Sequence, residues 1–285
     1  MKKRKLTHNA GRNRISKWGI LVLFWVGMIG FVPVSAQQKI RLNEGWNFLK
    51  GDLGSVWEAV RPVKPGSPES VPVWEAVSLP HSFNMTDAVD PDLNYYQGPG
   101  WYTTRIKISN PYPGGRTLLH FEGAGQKTDV YVFTAKVGSH VGGYDEFTMD
   151  ITDAVAEYLK AQAGANDFDG TVPVSVRCDN SRDVQMIPSD LSDFNVYGGI
   201  YRYLNLEYVP ALSIGQLLVN PELGKSGREA AVSVLATWRN PDHINAAQIE
   251  IALFDPQGRQ VATGTAAVQP AAGEQLLKKL EVKKP

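Results

Sequence analysis

The stretch VPVSVRCDNS, Val172 to Ser181, sets the fold class. Val172, Val174, Val176 and Cys178 recur at every second position, the period of a strand with one face against a core. Ser175, Arg177 and Asp179 therefore point the other way. Asp179 is the last of them, at a strand end, where the chain passes into a polar loop. A carboxylate followed by Asn180 and Ser181 offers acceptor oxygens, an amide and a hydroxyl, the groups that grip adjacent sugar hydroxyls. The same residues suit an Asx-turn closing the strand. The local pattern leaves both readings open.

Outward from this stretch the alternation repeats. Tyr102, Thr104, Ile106 and Ile108 alternate with Trp101, Thr103, Arg105 and Lys107, and similar runs lie at Thr117 to Glu122, Thr128 to Phe133 and Tyr203 to Val209. Turn residues punctuate them: Pro111-Tyr112-Pro113-Gly114-Gly115, Gly123-Ala124-Gly125, Gly142-Gly143 and Gly198-Gly199. Many short strands between such turns predict an all-β jelly roll or sandwich. One segment departs: Asp153 to Ala163 carries Val155, Ala156 and Leu159 at helical spacing, with Thr152 expected as N-cap.

After Val209-Pro210 the chain becomes richer in Ala and Val and loses aromatic density. Strands are predicted at Ile214 to Val219, Ala231 to Trp238, Gln248 to Phe254 and Gln260 to Val268, with a turn at Asp255-Pro256-Gln257-Gly258. This resembles an immunoglobulin-like β-sandwich, but the segment is shorter than the ~100 residues usual for that fold. No closing strand is visible before Pro285, so this second domain is expected to be truncated. The expected organisation is residues 1–36 as a leader, 37–209 as one β-sandwich and 210–285 as the second.

The leader is read from three features: a basic start (MKKRK, Arg12, Arg14, Lys17), an apolar run from Trp18 to Val32, and a small-residue cleavage site at Val34-Ser35-Ala36. That is a secretory signal peptide, which places the mature chain outside the cytoplasm, secreted or periplasmic. The run is shorter than the ~20 residues of a bilayer span, so no membrane association is expected after cleavage. Basic and acidic residues balance, 29 against 29, which leaves no one-signed field for nucleic acid or an anionic membrane. The single cysteine, Cys178, occupies an apolar strand position and reads as a small buried hydrophobe rather than a nucleophile.

The run SDFNVYGGIYR, Ser192 to Arg202, together with VRCDNS before it, resembles the N-terminal sugar-binding domain of family 2 glycoside hydrolases, the group of β-galactosidases, β-glucuronidases and β-mannosidases. Further pieces follow in the expected order: LNEGWNF from Leu42, VSLPHSFN from Val77, YYQGPGWYTTRI from Tyr95, FEGAGQKTDVYV from Phe121 and VGSHVGGYDEFTMDIT from Val137. The likeness runs from Ile40 to Val209, and the second domain fits that family's immunoglobulin-like segment. It is strongest toward secreted β-galactosidase-like enzymes of Bacteroides-type bacteria. Two positions depart from the pattern. Phe133-Thr134-Ala135 replaces the family's usual Asn-Gly turn, and Gln97 stands where many members have Arg.

What the resemblance implies is a galactose-binding-like jelly roll whose Asp, matching Asp179, contacts the terminal sugar of a β-linked substrate. Asn94 is the nearest match to a second sugar-contacting residue, and Asn180 accompanies Asp179. The family's catalytic glutamates, a retaining pair about 5 to 5.5 Å apart, lie on a (β/α)₈ barrel of roughly 250 residues that this chain is expected to lack. No catalytic residue, metal site or cofactor is therefore assigned here. The acidic residues Asp87, Asp90, Asp92, Asp145, Glu146, Asp190 and Asp193 read as turn and capping groups, although Asp190 and Asp193 also resemble a partial calcium loop. Trp46, Trp74 and Trp101 read as packing residues. His81 is expected to satisfy backbone groups, and Gly198 and Gly199 to permit unusual backbone angles tied down by an Arg202 ion pair. Three functions stay open: the non-catalytic N-terminal part of an exo-acting retaining β-glycosidase, a stand-alone carbohydrate-binding module, and a structural sandwich without a ligand.

Overall fold

A computed structural model describes residues 37–62, 72–87, 89, 90, 92, 94–187, 195–244, 247–268 and 275–283. The leader, Asp190 and Asp193 lie outside the described residues. In chain order the first elements are β1 (Gln38–Arg41), β2 (Trp46–Lys50), α1 (Trp57–Val60), β3 (Glu75–Val77), β4 (His81–Ser82), β5 (Pro99–Ile106), β6 (Arg116–Phe121) and β7 (Lys127–Val132). Then come β8 (Ala135–Val141), β9 (Phe147–Asp150), α2 (Thr152–Gln162), β10 (Val172–Asp179), β11 (Gly199–Ile200) and β12 (Leu204–Val209). The chain continues with β13 (Ser213–Leu223), β14 (Glu229–Arg239), β15 (Ala247–Phe254), β16 (Gln260–Val268) and β17 (Gln275–Lys283).

The first twelve strands build a jelly-roll sandwich. One sheet runs β1-β12-β6-β9 and the other β3-β2-β5-β10-β7-β8, with a short β11-β4 ribbon beside them. The alternation read in β10 is the reason: Val172, Val174, Val176 and Cys178 are all 0 % exposed and join one core with Tyr102, Val130 and Val132 of the same sheet. Leu119, Phe121, Leu204, Leu206 and Tyr208 enter that core from the opposite sheet. Tyr102, Thr104 and Ile106 are buried as the pattern in β5 requires.

The outer face of β10 is not open, however. Ser175 is 0 % exposed, because α1 lies across β5 and β10 and roofs that face. Trp101, beneath the same roof, is 3 % exposed. A face that alternation marks as polar thus carries a second, smaller buried layer.

α2 forms where expected, but Thr152 does not cap it by its side chain. Its hydroxyl accepts from Thr117 N (2.8 Å) and donates to Asp150 Oδ1 (2.6 Å), so it ties the helix start to β6 instead. Val155 is the residue α2 buries; Ala154, Tyr158 and Leu159 complete the packed face, and Ala156 faces solvent.

The β7–β8 hairpin closes without an Asn-Gly turn. Phe133 takes φ 52 itself. Its ring meets Trp57 edge-on at 5.9 Å and Tyr158 at 5.4 Å, contacts that hold a bulky side chain in a left-handed conformation it otherwise avoids.

The remaining strands form the immunoglobulin-like sandwich, β13-β14-β17 and β15-β16. The expected absence of a closing strand is corrected: β17 pairs antiparallel with β14 along most of its length. A register shift between Val234 and Leu235 inserts an extra residue opposite β14. The extra residue is Leu277, buried along with Leu280 and Val282, so their spacing is not even and period-2 reading fails.

Candidate functional site

Asp179 is the last residue of β10, in register with Pro99 of β5 on one side and Lys127 of β7 on the other. Its Oδ1 accepts from Ser181 N (2.8 Å), the Asx-turn anticipated from sequence. Its Oδ2 accepts from Arg177 Nη2 (3.1 Å). Each carboxylate oxygen has two lone pairs, so among the described residues one acceptor position on each is left for an incoming hydroxyl. The side chain is 14 % exposed.

Arg177 faces the same way as Asp179, two residues back on β10. It grips Asp52, in the loop after β2, with a fork: Nε to Oδ1 at 3.1 Å and Nη2 to Oδ2 at 2.9 Å. The Trp101 indole N–H also donates to Asp52 Oδ1 (2.8 Å). The Arg177 hydrogen bond holds the Asp52 carboxyl below the usual carboxylate range, and the Asp52 bond in turn raises Arg177 further above its ordinary value. Across the ladder Arg177 stands opposite Asp129, but that carboxylate is taken by Lys136 at 2.8 Å.

The loop after β10 is polar because buried amides pair its backbone. Asn180 is 2 % exposed; its Oδ1 accepts from Gly98 N (2.9 Å) and its Nδ2 donates to Tyr96 O (2.9 Å) and Val196 O (2.8 Å). Asn84 repeats the device: Nδ2 donates to Asn195 Oδ1 (2.9 Å) and Val196 O (3.0 Å), while Oδ1 accepts from Gly198 N (2.9 Å). Asn195 returns a bond to Asn84 O (2.9 Å), and Asp87 Oδ2 accepts from Tyr96 N (2.7 Å). Backbone groups of two loops that lack a ladder are thereby paired, which buried N–H and C=O groups require. A third tie is the ion pair Lys127–Asp183 at 2.6 Å.

Asp179 and Asn180 are adjacent yet differ in what they present. The carboxylate keeps open acceptor positions, whereas the Asn180 amide is spent inside the fold. Asn94 is exposed, two residues before Tyr96 on the segment that Asn180 and Asp87 hold, and makes no hydrogen bond among the described residues. Tyr95 and Tyr197 stand out of the same loops, 42 % and 43 % exposed. Asn84 and Asn195 were not singled out from sequence. Both lie in the quoted VSLPHSFN and SDFNVYGGIYR runs, but no local pattern marks an Asn as a long-range staple.

Gly199 takes φ +117, but Gly198 is required by crowding, since a Cβ there would lie 2.2 Å from Phe83 Cζ and 2.9 Å from Asn180 Cγ. Arg202 makes no ion pair among the described residues; it donates to the Glu122 carbonyl at 3.5 Å. His81 Nδ1 meets the Tyr102 hydroxyl at 2.8 Å rather than a backbone group, and burial lowers its pKa. Trp46 is packed in the core, and burial pushes the Cys178 thiol up to about 12, as an inert core residue requires. Asp90 caps Asp92 N, and Asp145 and Glu146 contact His140 and His120. Among the described residues no three metal-ligating side chains converge.

No protein-family model matches the chain. The β-glucuronidase of Parabacteroides merdae, a solved structure, superposes with a TM-score of 0.80 at 53% identity, over 87% of this chain and 31% of that one. The chain belongs to the β-glucuronidase and β-galactosidase group of glycoside hydrolase family 2. A Bacteroides fragilis β-glucuronidase is 30% identical over 202 residues, covering 69% of this chain and 24% of that protein. A Thermoanaerobacter pseudethanolicus β-galactosidase is 35% identical over 165 residues, 57% of this chain and 20% of its own. The chain thus spans less than a third of the length of these family 2 relatives and corresponds to part of them.

Proposed function

We propose that this chain is the N-terminal, non-catalytic portion of a secreted, exo-acting retaining β-glycosidase. In this reading residues 37–209 form the sugar-binding domain and 210–285 the immunoglobulin-like one. The segment 1–36 directs export and is removed after Ala36. The chemistry belongs to a catalytic barrel outside this sequence, and no cofactor is needed. Asp179 accepts hydrogen bonds from hydroxyls of the terminal sugar. Asn94 reaches the same sugar from the facing loop. Asn180, whose amide is fully engaged, contributes by fixing both loops.

The observation that carries this reading is the Asp179 carboxylate, held at a strand end by two donors that, among the described residues, leave an acceptor position on each oxygen. A group fixed in this way adds positioning without chemistry of its own. The resemblance read from sequence pointed to a β-galactoside. Identity of 53% to a β-glucuronidase favours a β-glucuronide instead, with the β-galactoside as the alternative.

The test is an assay of the purified chain on nitrophenyl β-glucuronide and β-galactoside, with sugar binding followed by NMR. The expected result is no turnover and weak, saturable binding in the millimolar range, since a few polar groups outside a closed pocket offset little of the cost of immobilising a ligand. Turnover that disappears on denaturation would overturn the non-catalytic assignment. Micromolar binding would favour the stand-alone binding module.

A further inference from the structure

We infer that Asp52 is a positioning residue that keeps the Asp179 carboxylate open to sugar by taking the Arg177 fork and so limiting Arg177 to a single bond on Asp179. The inference rests on the reading of Asp179 as the sugar contact. Arg177 lies between two carboxylates and shares itself unequally. Nε and one hydrogen of Nη2 go to Asp52, at 3.1 Å and 2.9 Å; the second Nη2 hydrogen goes to Asp179 Oδ2 at 3.1 Å. A guanidinium prefers a two-point fork on a carboxylate. Asp52 receives that fork, and Asp179 receives a single bond.

The order matters for what Asp179 can accept. With Arg177 on one oxygen and Ser181 N on the other, each oxygen retains a free lone pair. Were Arg177 to fork onto Asp179, it would fill the second Oδ1 position beside Ser181 N, and the sugar would be left one acceptor position, on Oδ2, in place of two. Nothing on β10 prevents that turn, because the residues are two apart on one face. The restraint comes from outside the strand. Asp52 is itself fixed by the Trp101 indole N–H at 2.8 Å, and Trp101 is 3 % exposed beneath α1 and stacked on Tyr131. Asp129, directly across the ladder from Arg177, cannot substitute while it holds Lys136 at 2.8 Å.

The experiment uses the whole chain and ¹⁵N NMR, titrating methyl β-glucuronide and methyl β-galactoside into wild type, Asp52→Ala, Asp52→Asn, Asp179→Asn and the double variant Asp52→Ala/Arg177→Met. Asp52→Ala should weaken sugar binding about fivefold, the scale of one ordinary hydrogen bond put out of place. The double variant, freed of the blocking guanidinium, should recover at least half of that loss; a purely structural role for Asp52 would make it no better than the single variant. Exchange of the Ser181 amide, whose acceptor is Asp179 Oδ1, should change in Asp52→Ala without any sugar present. An unchanged Ser181 amide, or binding equal to wild type in both Asp52 variants while Asp179→Asn binds weakly, overturns the positioning role alone. Binding unaffected by Asp179→Asn, or no saturable response in wild type, overturns the sugar contact itself.

Discussion

Asn84 and Asn195 exchange hydrogen bonds: the Asn84 Nδ2 donates to Asn195 Oδ1 at 2.9 Å, and Asn195 Nδ2 donates to the Asn84 carbonyl at 2.9 Å. This reciprocal pair, with Asn180 beside it, replaces a missing strand ladder between two loops. Asn180→Ala removes three bonds at once: Gly98 N is left without its acceptor, while Tyr96 O and Val196 O keep only their bonds from Asn84 Nδ2, at 3.3 Å and 3.0 Å. Buried groups left unpaired cost ~1 to 3 kcal/mol each in the worst case, so a loss of about 3 kcal/mol in urea unfolding is expected. A loss below about 0.5 kcal/mol would show that water replaces the amide without cost.

Gly199 combines φ +117 with a Cβ position 2.4 Å from the Tyr102 hydroxyl and 2.6 Å from the His81 carbonyl. Gly199→Ala therefore meets backbone strain and a rigid neighbour together, and should destabilise by about 2 kcal/mol or more. Thermal unfolding of this variant against wild type measures it; equal midpoints would mean the loop rearranges freely.

Phe133 separates backbone from side chain. Phe133→Ala keeps the left-handed strain and loses the ring contacts with Trp57 and Tyr158, whereas Phe133→Gly loses the contacts but relieves the strain. Both should be less stable than wild type, with alanine the worse by ~1 kcal/mol. The reverse order in denaturant titration would show that the φ value is not the governing cost.

His120 gives a pH signature. Its Nδ1 lies 3.1 Å from Glu207, and that hydrogen bond raises the His120 pKa. Burial pushes Glu207 upward, but its bond and charge contact with His120 prevail and hold it below the usual range. A raised histidine contributes stability that is complete below its unfolded pKa, ~6.5, and is lost as pH rises through the folded value. A depressed glutamate contributes above ~4.5 and loses it as pH falls through the folded value. The pair is therefore strongest between those limits, and the cost of His120→Gln should be larger at about pH 5.5 than at about pH 8.5. A cost independent of pH would remove the charge from this account.

Export makes a simpler prediction. Expressed in a bacterium with its full leader, the chain should appear outside the cytoplasm with Gln37 as its first residue, read by intact mass and N-terminal sequencing. Retention of the leader in a membrane fraction would mean that the apolar run anchors the chain.

Much of this was legible along the chain. Strand β10 was bounded correctly at Val172 and Asp179, and its core face named, because side-chain alternation is a local property that burial on one face enforces. The order of short strands and glycine-rich turns likewise determined an all-β architecture, and the ordered motifs determined the family. What only the tertiary structure decided depends on residues far apart in sequence. Ser175 is buried because a helix more than a hundred positions earlier crosses its sheet. Strand β17 was hidden because a bulge against β14 shifts the phase of its apolar residues. The sequence presents Asn180 as a ligand group beside Asp179, yet its amide faces Gly98 and Val196, partners no local pattern specifies. The sequence determines which face each strand turns inward; which polar groups remain free is determined by packing, since a hydrogen bond is settled by whatever donor or acceptor the folded chain brings within 3 Å.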